Sequence, residues 1–174
     1  MSTEPSAISS ETGTAHVSLI VDAETLLSRY PQASQDPNTP TPIDEHFIFL
    51  LGGALLSNTK IDSRGLPISL GRITHLRSRT IALRAEHSVV LYEFAVETGE
   101  VLPAPELVVN ADQTVPAIDV ENLTHPIPQQ TDDHFWRCRP LSQGKESSEL
   151  RFMLVNSQCE VAGYFSWAVD VIVE

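Results

Sequence analysis

The chain ends in GYFSWAVDVIVE (residues 163–174), whose side chains alternate with a period of two. Phe165, Trp167, Val169, Val171 and Val173 fall on one side; Tyr164, Ser166, Asp170 and Glu174 fall on the other. A helix returns each side chain every 3.6 residues, whereas a strand alternates them across its two faces. The pattern therefore predicts a half-buried strand and excludes a helix. ELRFMLVN (residues 149–156) repeats it with Leu150, Phe152 and Leu154. Asn156-Ser157-Gln158 between the two stretches is turn chemistry, so they read as a hairpin with Phe152, Phe165 and Trp167 on one buried face. HFWRCRPL (residues 134–141) precedes them. A turn containing Gly144 is expected to add it as a third strand, with Trp136 and Cys138 on the same side.

Upstream signals are of the same kind. In HVSLIVD (residues 16–22) Val17, Leu19 and Val21 alternate with polar neighbours, as in a strand with one buried face. Asp22 can then cap a short helix, AETLLSRY, with Glu24 in its first turn, Arg29 in its last and Pro31 as its stop. HFIFLL (residues 46–51) is apolar on both faces and reads as a central strand. TIALRAE (80–86), SVVLYEFAV (88–96) and ELVVN (106–110) are further strands. ALLS (54–57) and LPISL (66–70) read as short ones around a Ser63-Arg64-Gly65 turn. Residues 110–134 contain Pro116, Pro126 and Pro128 among polar residues, which predicts a long loop with one edge strand at Ala117 to Val120. Neither an internal repeat nor a parallel βαβ pattern occurs. With 174 residues, 41% of them hydrophobic, the chain can bury one core. These elements predict an all-β, antiparallel sandwich over residues 15–174, with one short helix after the first strand. Residues 1–14, polar and rich in Ser and Thr, are expected to form a disordered tail.

The charge balance excludes some partners. Asp and Glu number 23 against 11 Lys and Arg, a formal charge of -12 that repels phosphate backbones, so no nucleic-acid partner is expected. Arg72, Arg77, Arg79 and Arg84 form the one basic cluster and read as a solvated strand face. No basic start followed by an apolar run occurs, and no stretch reaches bilayer-spanning length; neither a signal peptide nor membrane insertion is expected. Cys138 and Cys159 are too few for a disulfide framework or a zinc site, and free thiols suit a reducing cytoplasm. No nucleophile elbow, metalloprotease helix or phosphate-cradling glycine loop is found, so neither catalytic residues nor a cofactor are assigned. His16, His75, His87 and His125 lack ligand spacing. Trp136 and Trp167 fall on buried faces, which favours core packing over a sugar-stacking platform.

The segment YPQASQDPNTPTPID (residues 30–44) carries the candidate site. It is longer than a passive connector, and Pro31, Pro37, Pro40 and Pro42 restrict its backbone. Ser34, Asp36 and Asn38 can fold back onto nearby N–H groups, so the loop is expected to be ordered by its own chemistry and to close one end of the sandwich. The plain reading is a rigid cap. The functional reading makes Asp36, Asn38, Asp44 and His46 a polar recognition surface for a glycan or a protein ligand. Asp132-Asp133-His134 is a second acidic–histidine cluster. It reads either as a cation site or as an edge that discourages aggregation.

VDAETLLSRYPQASQDPNTPTPIDEHFIFLL (residues 21–51) strongly resembles the N-terminal signature of the bacterial AidA/PixA inclusion-body protein family. There a Val-Asp helix start leads through Tyr-Pro, Ser-Gln-Asp-Pro-Asn and Pro-Thr to a strand. FMLVNSQCEVAGYFSWAVDVIVE (residues 152–174) is similar to the family's closing hairpin, in which a Gly-Tyr pair precedes an aromatic strand with a Trp. Two departures, Ala168-Val169 after Trp167 in place of Asp-Pro and a content of only two Met, favour the AidA-like branch. The resemblance implies an immunoglobulin-like sandwich without catalytic activity, associated with quorum sensing and involved in host interaction or intracellular inclusions. The expected partners are a second copy of the chain, a glycan or a host protein. The alternative from the residues alone is a lectin-like carbohydrate- or metal-binding sandwich with its site in the end loops.

Overall fold

The computed structural model describes residues 13–52, 65–81 and 86–174. Its strands are β1 (Thr14–Val21), β2 (Thr41–Ile43), β3 (Ile48–Gly52), β4 (Gly65–Ile68), β5 (Ile73–Thr80), β6 (His87–Val96), β7 (Glu106–Ala117), β8 (Ile127–Cys138), β9 (Gly144–Asn156) and β10 (Val161–Val173). One helix, α1 (Ala23–Arg29), follows β1, with the Asp22 side chain accepting from Thr25 N as its cap. The first sheet runs β3-β1-β5-β8-β7. The second runs β2-β10-β9-β6, with β4 also paired to β10. Both contribute to one core: Val17, Leu19 and Val21 from β1 meet Leu150, Phe152 and Leu154 from β9 and Phe165 from β10.

The chain is mostly β, as expected, but its sheets are mixed rather than antiparallel. β1 pairs parallel with β5, and β10 pairs parallel with both β2 and β4. Parallel neighbours need long crossovers, so adjacency in sequence does not reveal them. The C-terminal hairpin has the register that alternation implied, with Phe165 opposite Phe152 and Trp167 opposite Leu150, all buried. Its expected third strand lies elsewhere. β8 belongs to the first sheet, between β5 and β7, and the other partner of β9 is β6. Trp136 and Cys138 still face the shared core, from the opposite layer. Trp136 packs against it and donates Nε1–H to Leu91 O at 3.0 Å, and Cys138 is buried.

Other corrections have the same origin. HFIFLL is not central: β3 is an edge strand with Phe49 and Leu51 exposed, and His46 lies in a 3-10 turn before it (Glu45–Phe47). A strand that local pattern did not announce, β5, occupies Ile73–Thr80; most of the TIALRAE stretch (residues 82–85) and the ALLS segment lie outside the described residues, as do residues 1–12. LPISL forms most of β4. Residues 110–134 are not a loop but most of a long hairpin, in which Pro116 faces Pro128. A two-stranded ribbon exposed on both faces has no buried side, so no apolar alternation announces it.

Inner-facing residues of β9 run Glu146, Ser148, Leu150, Phe152, Leu154, so a buried carboxylate stands at the end of an apolar row. Glu146 accepts from Thr98 N at 2.7 Å, Gly99 N at 3.2 Å and Val101 N at 3.1 Å, and from the Thr98 hydroxyl at 2.9 Å. It thereby supplies acceptors to the turn after β6. These bonds, led by the Thr98 N–H, hold its pKa down at about 2 against an ordinary 4.5.

Two predictions follow from this packing. Phe152→Ala or Trp167→Ala should each lose ~3–5 kcal/mol in equilibrium denaturation, the usual range for a core aromatic; a near-neutral Trp167→Ala would place that ring outside the core. Because the folded-state pKa of Glu146 is depressed, its contribution is fully present above pH 4.5 and is lost as pH falls toward about 2. The parent should thus be more stable than Glu146→Gln at neutral pH, with the gap closing over that acid range. A gap independent of pH would remove the charge from the explanation.

Candidate functional site

The loop after α1 is stitched onto the second sheet. Tyr30 packs edge-on against Phe47 and Phe165. Ala33 is buried against β10 at Gly163, where an added Cβ would lie 2.6 Å from the Ala33 Cβ. Only glycine admits that approach. Ser34 O accepts from Tyr164 N at 2.8 Å, Gln35 Nε2 donates to Ala162 O at 3.2 Å, and Tyr92 Oη donates to Pro37 O at 3.0 Å. The Gly-Tyr pair of the closing hairpin is thus the seat of the loop.

Of the four loop candidates, the structure forms two local pairs. Asp36 accepts from Asn38 N at 2.9 Å, from Asn38 Nδ2 at 3.0 Å and from Thr39 Oγ1 at 3.3 Å. Those bonds, the Asn38 N–H foremost, lower the pKa of its carboxyl. Asp44 caps the 3-10 turn through His46 N at 3.0 Å and sits 2.8 Å from His46 Nδ1; the hydrogen bond from the His46 side chain is the main cause of its lowered pKa. No hydrogen bond joins one pair to the other among the described residues. Both pairs are exposed. Two shallow depressions, of about 260 and 200 Å³, share Ser147 and Ser148 of β9, and none of the four residues lines either. Among the described residues no group of three or more His, Cys, Asp or Glu is placed to hold a metal ion. In the second acidic cluster, Asp133 pairs with Arg77 at 2.6 Å while an Asp132 oxygen accepts from Asp112 N at 3.1 Å.

The outer face of the first sheet carries a plate of rings and guanidinium groups. Parallel pairing sets His16 beside His75 and Ser18 beside Arg77. His75 stacks on Phe135 at 3.9 Å, and Arg77 lies over the same ring at 4.6 Å. Phe135 is therefore only 4% exposed although it points away from the core. Arg77 is held by Asp133, and Arg137 is held by Glu106 at 3.1 Å. Burial, with the adjacent His16, Arg77 and Arg137, pushes the His75 pKa down and keeps the ring neutral. Each arginine already has a carboxylate, so this plate braces β1, β5, β8 and β7. The single spatial signal, two histidines in register, required knowing that β1 and β5 are neighbours.

The feature that sequence reasoning missed is the arm formed by β7 and β8. From Asn110 opposite Asp133 the pairing continues to Ala117 opposite Ile127. At about 3.4 Å per residue the paired part extends roughly 20 Å. A bulge at Asp112, in left-handed conformation (φ 55°), interrupts it. Among the described residues, the hydrogen bonds of residues 110–132 stay within the hairpin. Its tip exposes Ile118 (75%), Val120 (87%) and Leu123 (78%). These three apolar side chains stand apart from the core.

Comparisons with known proteins agree with this architecture. No curated protein matches the chain. A crystal structure of an inclusion body protein of the PixA family from Burkholderia cenocepacia superposes with a TM-score of 0.74 at 17% identity, covering 94% of this chain and 97% of that one. It shares the fold. A cysteine protease inhibitor from Entamoeba histolytica matches with a TM-score of 0.26 at 10% identity, covering 77% of this chain and 94% of that one, too distant to carry an argument. The model of the PixA inclusion body proteins matches residues 13–173, nearly the entire described chain, and the protein belongs to that family.

Proposed function

We propose that this protein is non-catalytic and works by associating with copies of itself, as an AidA-like branch of the family acting in host interaction or intracellular inclusions. The observation that supports this reading is the arm, a two-stranded extension whose exposed tip is aliphatic. Such a surface is unfavourable in water unless a partner covers it. The strongly shifted ionisable groups also have structural explanations: Glu146 caps a turn, and burial pushes the Cys138 thiol up to about 12, leaving it unreactive. The association with quorum sensing is supported by resemblance of the loop and closing hairpin alone. Sedimentation velocity of the purified chain over a wide concentration range should show species larger than monomer growing with concentration. A monomer throughout would overturn the reading.

Recognition of a glycan or host protein by Asp36, Asn38, Asp44 and His46 is the second reading. It is favoured by the rigid seating of their loop on β10, which presents exposed polar groups without an ordering cost on binding. Asp36→Ala combined with Asn38→Ala should abolish binding on a glycan array while leaving the thermal midpoint close to that of the parent. Binding equal to the parent's would leave the loop as a cap alone.

A further inference from the structure

We infer that the arm tip of one copy docks on the outer face of the first sheet of the next, at the patch formed by β3, β1 and β5. The inference rests on the self-association reading and names its contact. Register places Phe49, Ile20 and Arg79 in one cross-strand row, and Leu51, Ser18 and Arg77 in the next. Phe49 and Leu51 are exposed, so this corner offers an apolar surface beside a cation. Arg77 is held by Asp133, whereas Arg79 is exposed and makes no ion pair with a described residue. The arm has the opposite character. Residues 110–134 include Asp112, Asp119, Glu121, Asp132 and Asp133 but no Lys or Arg, and Asp119 and Glu121 alternate with Ile118 and Val120 at the tip. Aliphatic groups flanked by carboxylates fit an aromatic–aliphatic patch flanked by Arg79 in both shape class and sign.

Charge also explains why the contact must be local. At a formal charge of -12, two copies repel each other at long range. Electrostatic attraction therefore arises only where a basic patch meets an acidic one, beside the apolar contact. The arm does not occupy its own patch: its hydrogen bonds are internal, its tip is open, and β7 and β3 are opposite edges of the sheet. Tip and patch are different surfaces and each copy carries one of each, so two copies can exchange arms reciprocally or successive copies can link head to tail through the same contact.

The test uses the full chain and three variants: Val120→Asp with Leu123→Asp, Arg79→Glu, and Asp119→Arg with Glu121→Arg. All these positions lie outside the core, so thermal midpoints should match the parent's. Each variant alone should associate at least roughly tenfold more weakly in sedimentation, as for loss of an interface anchor. Mixing the Arg79→Glu chain with the Asp119→Arg, Glu121→Arg chain should restore association, because each tip then meets a patch of opposite sign. If the parent assembles and the variants assemble equally well, or the mixture fails to recover, this contact is overturned while self-association stands. If the parent never assembles, both fall together.

Discussion

Phe152 and Phe165 stack at 5.6 Å, directly opposite each other on β9 and β10, and both are fully buried. The rest of the molecule is arranged around that pair. On the inner side it meets the β1 row of Val17, Leu19 and Val21. Tyr30 packs edge-on against Phe165 and fixes where the chain leaves α1. Two residues before Phe165, Gly163 opens the space that Ala33 fills. Loop, helix and both sheets are thereby referenced to one aromatic contact, and water is excluded from the seam between layers.

Outside that core the chain handles its polar groups in two ways. Where backbone N–H groups would be left near the core's end, a carboxylate is brought to them, as Glu146 is to Thr98, Gly99 and Val101. Where charges collect on a sheet face they are paired in place, as Arg77 is with Asp133 and Arg137 with Glu106, which also shields Phe135. The tip of the arm is different: Asp119 and Glu121 have no Lys or Arg within residues 110–134, and Ile118, Val120 and Leu123 face solvent. The self-association proposed above rests on this departure.

Membership of the inclusion body family agrees with such a design without specifying it. The family match extends over residues 13–173, so it includes both the seated loop and the arm. The loop's carboxylates are engaged with their own neighbours, Asp36 with Asn38 and Asp44 with His46.

Much of this was legible from short-range pattern. Alternation determined the β9–β10 hairpin and its buried face, Asp22 and Pro31 bounded α1, and the Asp, Asn and Pro content of residues 30–44 implied a self-ordered loop. Each rests on neighbours within a few residues, where stereochemistry and periodicity act directly. The tertiary structure alone decided that β8 joins β7 and β5 rather than β9, that β1 and β5 run parallel, that β3 is an edge, and that residues 110–134 project as an arm. Strand pairing depends on partners far away in the chain, and a ribbon exposed on both faces leaves no hydrophobic period to read. His16 and His75 are 59 positions apart in sequence yet adjacent in register, and no local rule joins them.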